Sequence, residues 1–289
     1  MPSDLQTNST FNAVAESEYL TSRTGPWTSK PSTALAFLAL DQVANNGRTI
    51  PLTGHAYGDT SRFYPSTYDY TLQAGYELQY ISTLDFFHYN TTSAIEILND
   101  NSGGLDIALM HPLSRGTTHI VTSDPLAPPS VDPRWLVNPF DLTVMQYAMR
   151  FNQKLLNTAP VQELGPSYRD FPANATMDQM AAILKSGIGT EFHYAGTAAL
   201  MPRELGGVVD TNLIVYGTAN LRVVDTSVFP VIPGAHLQAV TYAVAERAAD
   251  ILKGVSVDEA REALAEEIPA QAFWSWFVQS LGLDGRQAK

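Results

Sequence analysis

The C-terminal third of this 289-residue chain reads FHYAGTAALM at residues 192–201, GTANLRVVDTSVFP at 217–230 and PGAHLQAVTY at 233–242. The first stretch consists mostly of small residues, which let another group approach the backbone closely. The second ends a short β-branched run at Asp225 and passes into a loop bounded by prolines. An apolar helical pattern then extends from His236 to Lys253 and stops at Gly254. From the residues alone, a ligand-facing turn and a plain structural corner are equally good interpretations of this region.

His193 and His236 are the two histidines placed where chemistry is expected. His236 opens a helix, where free backbone N–H groups and the helix dipole attract negative charge. The other histidines have no ligand-like spacing and carry no hypothesis: His55, His88, His111 and His119. Because no HExxH, GxSxG or GxxxxGK[ST] motif is present, the sequence predicts no metal site, no serine elbow and no P-loop.

Composition excludes nucleic acid as a partner and several kinds of site that depend on cysteine. The 17 Lys and Arg against 29 Asp and Glu give a net charge of −12, which would repel a phosphate backbone, so nucleic acid is not expected to bind. The chain has no Cys, which excludes disulfides, thiolate zinc sites and iron–sulfur clusters. No apolar run reaches the ~20 residues needed to span a bilayer, so no membrane contact is expected.

The first residues also bear on localisation. Residues 1–4 contain neither a basic segment nor the start of an apolar one, so no signal peptide is predicted. Sequons at Asn8, Asn90 and Asn174 favour a secreted parent protein, although this content of Asn, Ser and Thr also produces sequons by chance.

Residues 1–185 are predicted to form one α+β domain. Residues 1–30 are expected to be an extended lead-in to a buried apolar run at 34–40. Helical spacing predicts a helix over 71–87, and a second helix extends to Leu156 with Asp141 as its N-cap. Two short runs, at 105–109 and 118–122, have a strand–turn–strand pattern that implies an antiparallel sheet.

Residues 186–255 and 256–289 are predicted to be separate parts of the chain. In the first, the short β-branched runs 212–216 and 221–225 are expected to be strands of a parallel sheet. In the second, Ser256 and Glu259 fit a capping box that starts a helical tail, which continues in a further helix from Pro269.

Together, the three quoted stretches closely resemble the C-terminal signature of the glucose–methanol–choline (GMC) oxidoreductases. Upstream, residues 19–27, 111–117, 124–135 and 141–142 resemble the substrate domain of that family, so the resemblance covers about residues 16–255. It implies an α+β fold in which residues 1–185 form the substrate-binding domain, with an antiparallel sheet and flanking helices. Residues 186–255 would then complete the FAD site as the C-terminal portion of a Rossmann-like FAD domain.

The resemblance also implies a chemistry. GMC enzymes oxidise alcohols by passing a hydride to N5 of FAD, and a His paired with a second His or Asn faces the flavin. His193 and His236 fall at these positions, His193 as the base and His236 as the orienting partner. By the same resemblance, Asp225 lies near the phosphate–ribityl region of FAD, and the backbone of Ala235, His236 and Leu237 meets the pyrimidine end of the flavin.

One departure from the family is important. The sequence contains no GxGxxG loop, since Phe192 stands where the third glycine after Gly187 and Gly189 would be. We therefore expect this chain to hold FAD weakly or not at all, as the C-terminal half of an alcohol oxidase or dehydrogenase acting on a small or aromatic primary alcohol or a sugar. Its expected partners are that alcohol and either a separate FAD-binding N-terminal half or a second copy of itself.

Other interpretations stay open. The chain could come from a truncated gene, in which case it could be inert, or from a split gene. It could also be a homologue that abandoned flavin and reuses the substrate cavity for binding, isomerisation or cyclisation, with His193 and His236 as acid and base.

Overall fold

The computed structural model describes residues 7–28, 34–44, 49–90, 92–99, 104–163, 165–166 and 172–256, together with Leu5 and Glu259. Its α-helices are α1 Ser9–Ser22, α2 Leu40–Val43, α3 Thr49–Ala56, α4 Tyr70–His88, α5 Pro139–Leu156, α6 Ala159–Gln162, α7 Met177–Gly187 and α8 Leu237–Lys253. Its strands are β1 Ala34–Leu38, β2 Ile95–Asn99, β3 Leu105–Leu109, β4 Thr117–His119 and β5 Ser130–Asp132. The predicted mixed α+β class is confirmed.

The main sheet is antiparallel in the order β1-β2-β3, so β2 lies at its centre. Glu96 of β2 pairs with Phe37 of β1 and with Ala108 of β3. Side chains alternate along a strand, and Ile95 and Ile97 pack into the main hydrophobic core. The Glu96 side chain therefore leaves the sheet on the opposite face, although the residue is completely buried.

The predicted strand–turn–strand pairing is wrong, although the antiparallel sheet is correct. The 105–109 run forms β3 and pairs with β2, which precedes it. β4 stops at His119 and pairs with β5 in a separate two-stranded sheet, while Ile120 is 89% exposed. Turn-forming residues lie on both sides of β3, at 99–104 and 110–116, and the pattern of residues 105–122 alone does not show which neighbouring segment pairs with this strand.

The main core lies between this sheet and helices α4 and α5. Its buried side chains include Tyr76, Tyr80, Leu84, Phe87, Ile95, Ile97, Phe140 and Val144. Helix α4, predicted at 71–87, is confirmed, and Asp69 caps it by accepting the N–H groups of Thr71 and Leu72 at 2.9 and 3.1 Å.

Helix α5 is also confirmed, but its predicted N-cap is wrong. Asn138 caps it by accepting the Phe140 N–H at 2.9 Å, with a proline at the first helical position. The Asp141 side chain instead turns inward and accepts the backbone N–H groups of Leu113 and Ser114, both at 2.8 Å. Burial raises the pKa of Asp141, and these hydrogen bonds oppose the shift.

The N-terminal lead-in differs from the expectation. Residues 9–22 form helix α1, capped by Asn8, because its side chain accepts the Phe11 N–H at 3.0 Å. The run at 34–40 is only partly buried, since it enters the sheet as the edge strand β1, in which Leu35 and Phe37 are 44% and 42% exposed.

The C-terminal region is mostly irregular. The runs 212–216 and 221–225 form no strands and no parallel sheet, so that prediction is wrong; an isolated antiparallel bridge joins Ile214 to Arg222 instead. A small core that includes Val209, Val228 and Phe229 packs against α8. Helix α8 agrees with the prediction.

The sequence correctly predicts two features near the end of the C-terminal region, the end of α8 and the capping box that follows it. Helix α8 ends at Gly254, whose φ of 76° lies in the left-handed region that glycine adopts without strain. The predicted capping box is present, with reciprocal hydrogen bonds of 2.7 and 3.1 Å between Ser256 and Glu259. The rest of the tail, including the helix predicted from Pro269, lies outside the described residues. Among those residues, no helix is long and apolar enough to cross a bilayer.

Candidate active site

The fold brings His193 and His236 into contact. Their ring centroids are 5.1 Å apart and the ring planes are nearly perpendicular, at 88°. His193 lies in the irregular segment after α7, directly after Phe192, whose φ of 63° is unusual for a residue with a side chain. His236 is the N-cap residue of α8. The pair that the sequence singled out therefore occupies one site.

Close packing fixes the loop that carries His236. A Cβ atom on Gly234 would lie 2.9 Å from His111 Nε2 and 3.0 Å from the hydroxyls of Thr92 and Ser93. Only glycine lets the backbone pass this close to the segment that leads into β2. The same contact explains His111, which is buried and hydrogen-bonded to Thr92 at 2.9 Å, in agreement with its prediction as a structural residue.

Glu96, whose side chain lies on the face of the sheet opposite the main core, is hydrogen-bonded to His236. Its Oε1 atom lies 2.8 Å from His236 Nε2. Because a carboxylate oxygen only accepts, Nε2 of His236 donates, and Nδ1 is left as the free nitrogen of the ring. The Oε2 atom of Glu96 is buried and has no hydrogen-bond partner among the described residues.

Glu191 lies beside both imidazoles. Its carboxylate oxygens are 3.6 Å from His193 Nδ1 and 3.9 Å from His236 Nε2. Partial burial raises the pKa of Glu191, the neighbouring Glu96 carboxylate raises it further, and His236 opposes both effects. The site therefore contains two carboxylates and two imidazoles.

The environment keeps His193 neutral. Desolvation lowers its pKa, the nearby His236 lowers it further, and Glu96 opposes the shift. The His193 side chain is 21% exposed, whereas that of His236 is 43% exposed. A neutral imidazole has one nitrogen with a free lone pair, so His193 is able to accept a proton at neutral pH.

A cavity of about 870 Å³ opens beside this pair. Its walls come from β3, α5, α7 and the loops around residues 133–136 and 232–235. The apolar lining side chains are Leu98, Leu105, Ile107, Leu109, Met110, Trp135, Leu136, Met145, Met149, Ile183 and Leu184. Glu191, His193 and Ala235 line the cavity at the site. Most of the lining is apolar, and polar residues elsewhere in it include Asp106, Ser114 and Asn152.

A second, smaller cleft of about 460 Å³ adjoins the start of α8. His193 lines both this cleft and the larger cavity. The remaining residues of the cleft are Phe192, Tyr194, Thr226, Leu237, Gln238, Thr241, Tyr242 and Ala245. The N-terminus of α8 and three exposed aromatic rings therefore line the same cleft as the His193 imidazole.

The other predicted cofactor residues surround the cleft. Leu237 lines it, and Ala235 lines the larger cavity. Asp225 is exposed and caps a short 3₁₀ helix at Thr226–Val228, where its side chain accepts the Ser227 N–H at 2.8 Å. Its contacts in the structure are therefore those of a cap.

Sequence reasoning missed both glutamates. A charged residue inside the apolar run from Ala94 to Leu98 is a usable signal for Glu96, because an unpaired carboxylate is rarely buried in a central strand. Glu191, two residues before His193, lies in a loop with no comparable signal.

Comparison with known proteins shows which family the chain resembles. The family described as GMC oxidoreductase matches residues 112–245. A glucose oxidase-like protein from Humicola fuscoatra is 42% identical over 175 residues, which cover 59% of this chain and 30% of that protein. A solved FAD-dependent oxidoreductase from Chaetomium thermophilum superposes with a TM-score of 0.81 at 30% identity, covering 87% of this chain and 44% of that one.

A solved fungal aryl-alcohol oxidase superposes with a TM-score of 0.73, also at 30% identity, and covers 87% of this chain and 43% of that one. The chain corresponds to the C-terminal region of the GMC oxidoreductases. It spans 30% of the length of the Humicola relative and under half of the two solved chains.

Proposed function

We propose that this chain supplies the substrate cavity and the catalytic histidine pair of an enzyme that oxidises a CH–OH group with FAD as the hydride acceptor. The observation that carries the proposal is the contact between His193 and His236, with His193 lining both the closed cavity and the open cleft. A group that bridges two compartments is suited to a reaction in which substrate occupies one and cofactor the other.

The two imidazoles have different roles. His193 is the base: its Nδ1 atom faces Glu191, which leaves Nε2 to take the hydroxyl proton of the alcohol. His236 is the orienting partner: Glu96 fixes its Nε2 atom, and when the ring carries a proton on both nitrogens, Nδ1–H donates a hydrogen bond to the substrate oxygen. Removal of the proton by a positioned base makes the carbinol hydride easier to release.

The cleft fits the isoalloxazine part of FAD. The rings of Phe192, Tyr194 and Tyr242 are 76%, 65% and 65% exposed and offer apolar surface to a flat ring. The first N–H groups of α8, around Leu237, have no intrahelical acceptors, so they suit the polar pyrimidine edge. Bound there, FAD would supply the hydride acceptor, and Asp225, Ala235, His236 and Leu237 are the residues we assign to holding it.

The lining of the cavity favours an aromatic primary alcohol over a sugar. Its lining is mostly apolar and includes many Leu, Ile and Met side chains, so a sugar would find partners for only some of its hydroxyls. The likeness to an aryl-alcohol oxidase supports this substrate class, whereas the glucose oxidase-like relative supports a sugar. We propose the aromatic alcohol, because most of the residues that line the cavity are apolar.

The test of the proposed function is reconstitution. The chain, fused to or co-expressed with an FAD-binding N-terminal half from the family, is expected to oxidise benzyl alcohol with a kcat/KM at least tenfold above that for glucose, the ratio given by about 1.4 kcal/mol. Product formation and flavin reduction under anaerobic conditions measure it. A flavin-loaded enzyme that oxidises neither substrate, or that prefers glucose, would contradict the assignment.

A flavin-free acid–base catalyst is the second candidate. The observation that favours it is the cluster of two imidazoles and two carboxylates, in which Glu191 lies beside both rings and Glu96 holds His236, because such groups donate and accept protons without a cofactor. The same His193 and His236 would then transfer protons within a bound substrate, as in an isomerase or cyclase.

A measurement of flavin retention tests whether this chain binds FAD without a separate FAD-binding half. The 289-residue chain, expressed alone with excess FAD, is expected to lose its visible flavin absorption on gel filtration, because the cleft is assigned to the isoalloxazine end and these 289 residues contain no GxGxxG loop to hold the pyrophosphate. The reconstituted enzyme, treated identically, is the matched control. Stoichiometric yellow flavin on the isolated chain would contradict this expectation.

A further inference from the structure

We propose that Glu191, His193 and His236, together with Glu96, form a binding site for one divalent transition-metal ion of the zinc type. One ligand atom from each of the first three residues lies within 4.8 Å of the others. Metal binding at this cluster is independent of flavin and of the alcohol, so it goes beyond the proposed function.

The spacing of the donors suits a tetrahedral ion. Zinc bonds of ~2.1 Å to nitrogen and oxygen place neighbouring ligands about 3.4 Å apart. The Glu191 oxygens lie 3.6 Å from His193 Nδ1 and 3.9 Å from His236 Nε2, so small side-chain rotations close the site. Imidazole and carboxylate together select zinc, cobalt or nickel over magnesium and calcium, which prefer oxygen ligands alone.

Glu96 provides a second, independent observation. It is 0% exposed, its Oε1 atom lies 2.8 Å from His236 Nε2, and its buried Oε2 atom has no hydrogen-bond partner among the described residues. A buried carboxylate with an orphaned oxygen is costly unless a cation compensates it. A divalent ion bound by His236 and Glu191 would lie beside that carboxylate and balance both negative charges.

The bound ion would also prevent His193 from acting as the base. Coordination uses the lone pair of His193 Nδ1, so the neutral ring carries its proton on Nε2, which can then no longer accept the hydroxyl proton. The metal and alcohol oxidation are therefore expected to compete, a consequence that rests on the proposed function, whereas binding itself does not.

Co²⁺ is the probe, because a tetrahedral site gives it intense visible d–d bands. The untagged 289-residue chain is expected to bind one Co²⁺ with such bands, and Zn²⁺ should displace it and abolish them. Glu191→Gln and His193→Ala should each weaken Co²⁺ binding by at least tenfold, and Glu96→Gln should weaken it too, in line with losses of ligands and of groups that support them.

Exposed residues of the same types supply the controls. Glu246→Gln and His119→Ala are expected to leave Co²⁺ binding unchanged, since both residues are exposed and outside the cluster. Circular dichroism shows that each variant is folded before its affinity is compared. Equilibrium dialysis that finds no stoichiometric Co²⁺, or binding that survives both Glu191→Gln and His193→Ala, would overturn the site, while leaving the alcohol-oxidation proposal to its own test.

Discussion

His193→Ala in the reconstituted, FAD-loaded enzyme is expected to lower kcat for alcohol oxidation by roughly 10²–10⁴-fold, the range typical of losing a positioned general base. The substitution removes the nitrogen that would take the hydroxyl proton, while the apolar cavity walls that bind the alcohol remain. The KM should therefore change less than kcat. Steady-state kinetics and anaerobic flavin reduction in a stopped-flow instrument measure the two quantities separately.

The partner histidine gives a graded comparison. His236→Ala should also impair turnover, whereas His236→Asn should retain more of it, because an amide still hydrogen-bonds the substrate oxygen. His119→Ala, at an exposed position in β4, is the matched control and should keep wild-type kcat. If the His193 and His236 variants keep wild-type turnover, or lose activity only in proportion to a lower Tm, the pair has a structural role and the catalytic assignment is wrong.

A structural element can be predicted from the sequence when the residues that determine it lie within that element or next to it. Helices α4 and α8 follow from spacing and end signals within their own residues, such as Gly254. The partner of β3 does not, because turn-forming residues lie on both sides of this strand, at 99–104 and at 110–116, and among the described residues only the segment before it, β2, pairs with it. The pairing is decided by burial of β2 at the centre of the sheet.

The site shows the same limit. His193 and His236 were predicted through a resemblance over contiguous stretches, and the structure places their rings in contact. Glu96 reaches His236 across 140 positions of sequence separation, so no local pattern joins them. The wrong N-cap prediction for Asp141 has a related cause. Asp is a residue type that favours the N-cap position, but Asn138, directly before Pro139, is the N-cap of α5. The Asp141 side chain is therefore available for its contact with the distant Leu113 N–H.

Asp141→Ala is expected to destabilise the chain by roughly 2–5 kcal/mol. Its carboxylate is 1% exposed and accepts the backbone N–H groups of Leu113 and Ser114, so truncation leaves two donors without their partners. Each unsatisfied buried donor costs ~1–3 kcal/mol. Urea unfolding followed by circular dichroism, with the slope held constant, measures the change in the free energy of unfolding.

The same substitution tests how the cavity is held. Met110, Pro112 and Ser114 line it from the loop that Asp141 anchors to α5, so loosening this anchor should weaken alcohol binding even in the folded fraction. Asp141→Asn should fall between wild type and Ala, because the amide offers one acceptor oxygen and turns its NH₂ group toward the second N–H. Asp124→Ala is the matched control: Asp124 is exposed and accepts one N–H, that of Leu126 at 3.0 Å, so its loss should cost well under the Asp141 value. Equal losses for Asp141→Ala and Asp124→Ala would show that the buried carboxylate does not anchor the loop, and the wall of the cavity would then depend on the apolar contacts of α5 alone.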